Sequence, residues 1–158
     1  MKKSLFVFAL AMTLAVACAL ACYAQQQDPA NVGTPAFKPL SSKSGNMTLK
    51  YGFLGASVYD GSTKKWEFYK MTTITRHKVE GFVNMVNDNF ALAAGLHEVA
   101  LYDFGKHKWF VYKKLGADDS TGMLKTNFEM TKDHVKVKTL NGPWIKYTPA
   151  TGWQEVAK

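Results

Sequence analysis

The chain has 158 residues, a formal net charge of +8 and only 2 cysteines. This length is enough for one domain with one hydrophobic core. Both cysteines, Cys18 and Cys22, lie close to the start, so a scaffold held together by disulfides is excluded for the rest of the chain.

Residues 1–24 have the pattern of a secretory signal peptide. Lys2 and Lys3 precede an apolar stretch from Leu5 to Leu20, and small residues then stand three residues and one residue before Gln25. The apolar stretch is shorter than the roughly 20 residues that span a bilayer, and no second stretch follows it. We therefore expect cleavage after Ala24 and export to the periplasm or the extracellular space, without a transmembrane segment.

A lipoprotein signal is the alternative, because both cysteines follow small residues. The favoured leucine three positions before such a cysteine is replaced by Ala15 and Ala19, so simple cleavage is the preferred interpretation. Without residues 1–24 the chain would have no cysteine, 18 basic and 12 acidic residues, and a net charge of +6.

Residues 25–45 are predicted to form a flexible arm. This stretch holds three of the five prolines and has little apolar periodicity. A single folded domain is then expected over residues 46–158.

The domain contains an internal repeat. With an offset of 43 residues, Asn46–Leu49 falls on Asn89–Leu92, Val58–Asp60 falls on Leu101–Asp103, and Lys65–Trp66 falls on Lys108–Trp109. A weaker third copy is expected with an offset of 45, which places Phe90 on Val135, Leu92 on Val137 and Tyr102 on Tyr147. Trp109 meets Trp153 after a one-residue deletion in the turn. A period of this length indicates a fold built from repeats.

Each copy has the pattern of short β-strands. In the second copy, apolar runs end at Gly95 and at Asp103, and Trp109–Tyr112 returns after a turn that contains Gly105. The aspartate suits the turn because its carboxylate can accept from backbone N–H groups two residues further on. Three or four strands per copy and no helix after residue 24 are expected, so the fold class is all-β and antiparallel.

The run Phe90–Gly95, followed by Val-x-Leu-Tyr-Asp at 99–103 and Lys108–Trp109, resembles one blade of a β-propeller of the kelch or WD type. The resemblance covers about 25 residues in each of two copies and implies four-stranded blades. Propellers have four or more blades, and this chain has room for three. A homo-oligomer that completes the ring is therefore one expectation.

Two other architectures stay open. A three-repeat β-trefoil is similar in length, and ricin-type trefoil lectins carry Gln-x-Trp near the place of Trp66, Trp109 and Trp153. The glutamine is absent from all three copies here. An ordinary β-sandwich or barrel with two duplicated hairpins is the remaining alternative.

The residues point to no catalytic or metal chemistry. None of the four histidines has metal-ligand spacing, and no nucleophile motif is present. Asp60 and Asp103 recur in equivalent turns, which favours a structural role over a catalytic pair. We therefore expect a non-enzyme without a metal or an organic cofactor.

Repeated aromatic and basic residues suggest binding instead. The candidate ligand-binding residues are Tyr59, Tyr102, Tyr147, Lys65 and Lys108, which recur at equivalent positions. Together with the basic charge and the export signal, they predict a secreted binding module for a glycan or another anionic envelope component. A structural or assembly component of the cell envelope, acting through sheet edges or oligomer contacts, is the alternative, and predicted export argues against nucleic acid as the partner.

Overall fold

The computed structural model describes residues 38–52, 54–71, 83–95, 98–113, 127–139 and 142–157. The predicted signal peptide and most of the predicted arm lie outside these residues. Within these described residues, twelve strands follow one another in the order β1 Leu40–Ser41, β2 Met47–Gly52, β3 Gly55–Asp60, β4 Lys65–Tyr69, β5 Asn84–Val86, β6 Phe90–Ala94, β7 Val99–Asp103, β8 Lys108–Tyr112, β9 Phe128–Met130, β10 Val135–Lys138, β11 Trp144–Thr148 and β12 Gly152–Val156.

The strands form three antiparallel sheets of four strands each. The first sheet contains β1–β4, the second β5–β8 and the third β9–β12, and in each sheet the strands pair in chain order. This confirms the all-β class and the internal repetition. None of the three sheets closes into a barrel, so the trefoil and barrel alternatives are not supported.

The first sheet begins earlier than the sequence predicted. Leu40 pairs with Leu49 and Ser41 pairs with Thr48, so β1 lies inside the stretch assigned to the flexible arm. The sequence did not predict β1 because the strand has only two residues and is surrounded by prolines and polar residues. The folded domain therefore includes at least part of residues 38–45.

The second sheet is covered on both faces. Every residue of β6 and β7 is buried, which is why these strands are continuous apolar runs and do not alternate with polar residues. Leu92 and Leu101 face one way and are directly paired. Ala91 and Tyr102 are paired on the opposite face.

Two hydrophobic cores result, one on each face of the second sheet. Between the first and second sheets, Leu49 and Val58 pack with Ala91, Ala93 and Tyr102. Between the second and third sheets, the buried residues are Val83, Phe90, Leu92, Ala94, Val99, Leu101, Phe128, Val135, Val137, Ile145 and Tyr147. Burial of one valine, leucine, isoleucine or phenylalanine side chain stabilises the fold by about 1.5–3 kcal/mol. Both interfaces therefore contribute strongly to the stability of the fold.

A Tyr–Trp pair recurs in each sheet. The ring centroids are 5.5 Å apart for Tyr59 and Trp66, 5.3 Å for Tyr102 and Trp109, and 5.5 Å for Tyr147 and Trp153. A tyrosine of the preceding sheet also contacts the tryptophan, at 5.7 Å for Tyr69 with Trp109 and 6.2 Å for Tyr112 with Trp153. The repeated aromatic residues therefore join neighbouring sheets.

The third copy differs from its sequence alignment by one residue in β10. Val135 pairs with Tyr147, as Ala91 pairs with Tyr102. Val135 therefore corresponds to Ala91 and not to Phe90, whereas the equivalence of Tyr102 with Tyr147 is confirmed. A shift of one residue exchanges the two faces of a strand. The sequence alignment was therefore wrong by one residue in β10, because only the stacking of the sheets shows which face is buried.

Candidate functional site

The turns of the three sheets meet at one end of the molecule, which we call the turn end. Because the strands of each sheet run antiparallel in chain order, its first and third turns lie on the same side. The turn end consists of residues 42–46, 61–64, 87–89, 104–107, 131–134 and 149–151.

Hydrogen bonds join equivalent turns of neighbouring sheets. The Ser44 N–H donates to Oδ1 of Asp88 over 3.2 Å. Between the second and third sheets, the side-chain amide of Asn87 donates to the Thr131 carbonyl over 2.9 Å, and the side-chain amide of Asn89 donates to the Lys132 carbonyl over 2.7 Å. The donors and acceptors lie 43 or 44 residues apart, so the repeat itself produces these contacts.

A cavity of about 520 Å³ opens at the turn end, and it is lined by Met47, Ser62, Asp88, Asn89, Phe90, Asp103, Phe104, Gly105, Lys106, Lys132 and Pro149. These residues come from all three sheets. Met47, Phe90, Phe104 and Pro149 supply an apolar part of the wall. Two carboxylates, an amide, a hydroxyl and two ammonium groups supply the polar part, so the cavity offers both donors and acceptors to a ligand.

Asp103 forms the most firmly fixed part of the cavity wall. Its Oδ1 accepts from the backbone N–H groups of Gly105 and Lys106 over 2.9 and 3.1 Å. Its Oδ2 accepts from the Tyr147 hydroxyl over 2.8 Å. The predicted turn role of this aspartate is confirmed, and the three donors leave its carboxylate engaged in structure.

Asp60 has the equivalent role in the first sheet. The Ser62 N–H donates to its Oδ1 over 3.0 Å, and Nδ1 of His107, from the second sheet, lies 2.7 Å from its Oδ2. Burial alone would raise the pKa of this carboxyl, but the hydrogen bonds from Ser62, His107 and Thr63 outweigh burial and lower the pKa. His107 therefore holds the first and second sheets together, a role that its sequence position did not reveal.

Asp88 is the exposed carboxylate of the cavity. Hydrogen bonds from Ser44 and Ser42 lower its pKa, so it is ionised at neutral pH. Lys106 lies in a turn of the second sheet, and its ammonium donates to the carbonyl of Pro149 in the third sheet. Lys132 lies in another turn of the third sheet. An ionised carboxylate and two ammonium groups thus surround a partly apolar cavity.

The five residues predicted to bind a ligand do not line this cavity. Tyr102 and Tyr147 are 1% and 0% exposed, and their burial counts against the predicted stacking of a ligand on them. Tyr59 is half-buried, and Lys65 and Lys108 are exposed at the starts of β4 and β8. Lys65 and Lys108 thus lie near the turn end but outside the lining of the cavity, and their role in binding stays a prediction.

The cavity residues had only a weak signal in the sequence. Asp88, Asn89, Lys106 and Lys132 lie in turns that are far apart along the chain, and polar turn residues are ordinary. Asn89 and Lys132 are 43 residues apart, and Ser44 and Asp88 are 44 residues apart. These separations match the repeat period and could have suggested that the turns lie side by side. The convergence of three turns on one cavity required the stacking of the sheets.

A buried carboxylate also lies on the interface between the first two sheets, away from the cavity. Glu98 is 1% exposed, and its Oε2 accepts from the Tyr69 hydroxyl over 2.9 Å. Burial and the neighbouring Glu98 raise the pKa values of Tyr51 and Tyr69. Tyr51 and Glu98 are buried and Tyr69 is half-buried, so these groups form part of the interface.

Among the residues that the structure describes, no group of three or more His, Cys, Asp or Glu side chains is arranged to hold a metal ion. The described part of the chain also has no helix long and apolar enough to cross a membrane. The chain matches no protein-family model, no curated protein and no solved structure.

Proposed function

We propose that this protein is a secreted, non-catalytic binding module that takes a hydroxyl-rich ligand, such as a glycan, in the turn-end cavity. The observation that carries the proposal is the cavity of about 520 Å³ to which all three sheets contribute. Concave sites with apolar walls and a few convergent polar groups are typical of ligand-binding sites.

The chemistry of the wall favours a ligand with many hydroxyl groups. Each sugar hydroxyl both donates and accepts a hydrogen bond, so it needs acceptors and donors around it. Asp88 and the side chain of Asn89 provide acceptors, and the Lys106 and Lys132 ammonium groups provide donors. Phe104 and Pro149 provide apolar surface against which the carbon face of a sugar ring can pack.

Binding, and not catalysis, suits the carboxylates of this cavity. Asp103 is 2% exposed and its carboxylate already accepts from three donors of the fold, which leaves it about one acceptor position. Asp88 is exposed and has a lowered pKa, which makes it a poor general acid. Recognition of a ligand through hydrogen bonds requires neither group to transfer a proton.

A pair of double variants tests the proposal. The purified protein is first screened on a printed array of neutral and acidic oligosaccharides, and the strongest ligand is then titrated by calorimetry. We expect Lys106→Ala with Lys132→Ala to weaken binding about tenfold or more, because two charged donors are lost. Lys65→Ala with Lys108→Ala changes the charge equally outside the cavity and is expected to leave the affinity within about twofold.

Two outcomes would contradict this assignment. If the array gives no ligand, the proposed glycan recognition is wrong. If the Lys65 and Lys108 variant loses affinity and the Lys106 and Lys132 variant keeps it, binding occurs on the outer ends of β4 and β8, as the sequence predicted, and not in the cavity.

A second candidate function, assembly of the chain with a second copy, follows from the outer face of the first sheet. Tyr59 and Trp66 on this face correspond to Tyr102 and Trp109, which join the second sheet to the first. No sheet precedes the first one within the described residues. The blade-like resemblance and this repeated aromatic pair support a dimer joined through the first sheets.

Light scattering across a concentration series tests the assembly. We expect a dimer that becomes a monomer in Trp66→Lys, whereas Trp144→Lys, which alters the outer face of the third sheet, stays dimeric. A wild-type protein that remains monomeric at all concentrations would refute the assembly and leave the binding proposal unaffected.

A further inference from the structure

The outer face of the third sheet carries lysines where the other sheets carry core residues. Lys136 and Lys146 are directly paired across β10 and β11, in the places that Leu92 and Leu101 hold in the second sheet. Lys138 and Trp144 are the next pair on the same face. We call the surface formed by Lys136, Lys138, Trp144 and Lys146 the basic face.

A polar outer face is expected for a sheet that ends a stack, because an apolar face there would be left in water. Polarity alone does not explain an excess of one sign, since three lysines share this face with one carboxylate, that of Glu129, which lies directly opposite Lys136. Like charges directly opposite each other in a sheet are destabilising, and an alternation of lysine and glutamate would end the stack without this penalty. The opposed Lys136 and Lys146 therefore suggest an anionic partner.

The other charges near this face are few. Glu129, on the adjacent strand β9, has its Oε1 3.1 Å from Nε2 of His134 and its Oε2 3.9 Å from Nζ of Lys136. Within the described part of the chain, Lys138 and Lys146 form no ion pair. The surface is thus net positive, with one carboxylate at its edge.

Trp144 adds an aromatic surface to the basic face. It pairs with Lys138 on one side and with Val156 on the other. A second concavity, of about 300 Å³, lies beside it and is lined by Glu129, Lys136, Trp144, Val156 and Ala157. This space is about ten times the 30 Å³ that a water molecule occupies in the liquid, so a group much larger than an ion can enter.

We infer that the basic face binds a linear acidic polysaccharide. Its carboxylates contact Lys136, Lys138 and Lys146, and one of its sugar rings packs against Trp144 in the concavity. Lys136 and Lys138 are two residues apart on β10, so their Cα atoms are about 7 Å apart, and successive charged groups of a polymer can be contacted together. Trp144 and Val156 line the concavity together with Lys136 and Glu129, whereas insertion into a bilayer needs protruding apolar side chains.

This second site is separate from the turn-end cavity and does not depend on it. The test uses sodium polygalacturonate as the probe and its fully methyl-esterified form as the uncharged control. We expect the wild-type protein to bind polygalacturonate at low salt, and to lose affinity as salt rises, since exposed charges are screened over about 10 Å at 0.1 M. The esterified form is expected to bind at least about tenfold more weakly.

The variant Lys136→Gln with Lys146→Gln is expected to weaken polygalacturonate binding about tenfold. Its matched control is Lys70→Gln with Lys113→Gln, which removes the same charge from two exposed lysines after β4 and β8. This control is expected to bind within about twofold of wild type. Thermal unfolding verifies that the first variant is folded. Its melting temperature should stay close to that of wild type, because removal of the like-charge pair is offset by loss of the 3.9 Å contact between Lys136 and Glu129.

The proposal is overturned if both double variants lose affinity equally, since binding then reflects net charge and not this face. It is also overturned if polygalacturonate fails to bind at low salt. Binding of phosphatidylglycerol and phosphatidylcholine vesicles, or of single-stranded DNA, through the same lysines would then identify a different anionic partner. A failure here with a glycan still bound in the turn-end cavity would leave the proposed function intact.

Discussion

Replacing Tyr147 with phenylalanine removes a single hydroxyl from the interface between the second and third sheets. The Tyr147 ring is 0% exposed and packs against Phe90, Phe110 and Trp153, and phenylalanine keeps these ring contacts. The lost hydroxyl is the one that donates to Asp103 over 2.8 Å. The substitution therefore isolates one buried hydrogen bond to a carboxylate.

The magnitude follows from the burial of both partners. A hydrogen bond to a charged group contributes about 1.5–3 kcal/mol to the free energy of unfolding. Removal of the Tyr147 hydroxyl leaves one carboxylate oxygen of Asp103 without its donor, in a site that water reaches poorly. Asp103 is 2% exposed, so we expect the upper half of this range, about 2–3 kcal/mol. In thermal unfolding this corresponds to a fall of about 8 °C in the melting temperature.

Urea unfolding of the purified protein, followed by tryptophan fluorescence, measures the change in the free energy of unfolding. Tyr59→Phe is the matched control, because Tyr59 is the equivalent residue of the first sheet and is only half-buried. Its change is expected to stay within about 0.5 kcal/mol. Equal effects of the two substitutions would refute the claim that the Tyr147 hydroxyl fixes Asp103 and the third sheet.

Two further predictions concern the stability of the sheets. Burial raises the pKa values of Tyr51, Tyr102 and Tyr147, so the stabilisation is complete below the unfolded-state pKa of about 10 and falls as pH rises above it. At pH 11 the loss is about 1.4 kcal/mol per tyrosine, or about 4 kcal/mol in total. The ionisation of these three buried tyrosines, followed by absorbance at 295 nm, should therefore occur only together with unfolding, and titration of all the tyrosines near pH 10 in the folded protein would contradict this. Gly55→Ala should destabilise the first sheet by more than about 3 kcal/mol, because Gly55 has a φ of 147° and an added Cβ would lie 2.0 Å from the Tyr69 carbonyl oxygen; urea unfolding within 1 kcal/mol of wild type would show that this approach is not tight.

The sequence alone predicted the features that depend on local chemistry. The strands of the second sheet were located because Phe90–Ala94 and Val99–Asp103 are apolar runs that end at turn residues. The turn role of Asp103 was predicted because an aspartate carboxylate reaches the backbone two residues on.

Features that depend on sheet stacking were predicted poorly. Alternation put Tyr102 on the face opposite Leu101, but only the first sheet, packed against that face, shows that Tyr102 is buried. The predicted register of β10 was wrong by one residue. Valine and lysine alternate along this strand, and the alternation does not show which face of the sheet packs against the second sheet. The turn-end cavity combines residues from all three sheets, and no linear pattern contains that information.

Heteronuclear NMR of the wild-type protein, titrated with the strongest oligosaccharide from the array, tests the proposed binding site most directly. We predict that the largest amide shifts occur at residues 88–89, 104–106 and 132, around the turn-end cavity. Shifts concentrated at Lys136, Lys146 and their neighbours would assign the ligand to the basic face. That result, or the absence of any shift at saturating ligand, would contradict the cavity as the site of function.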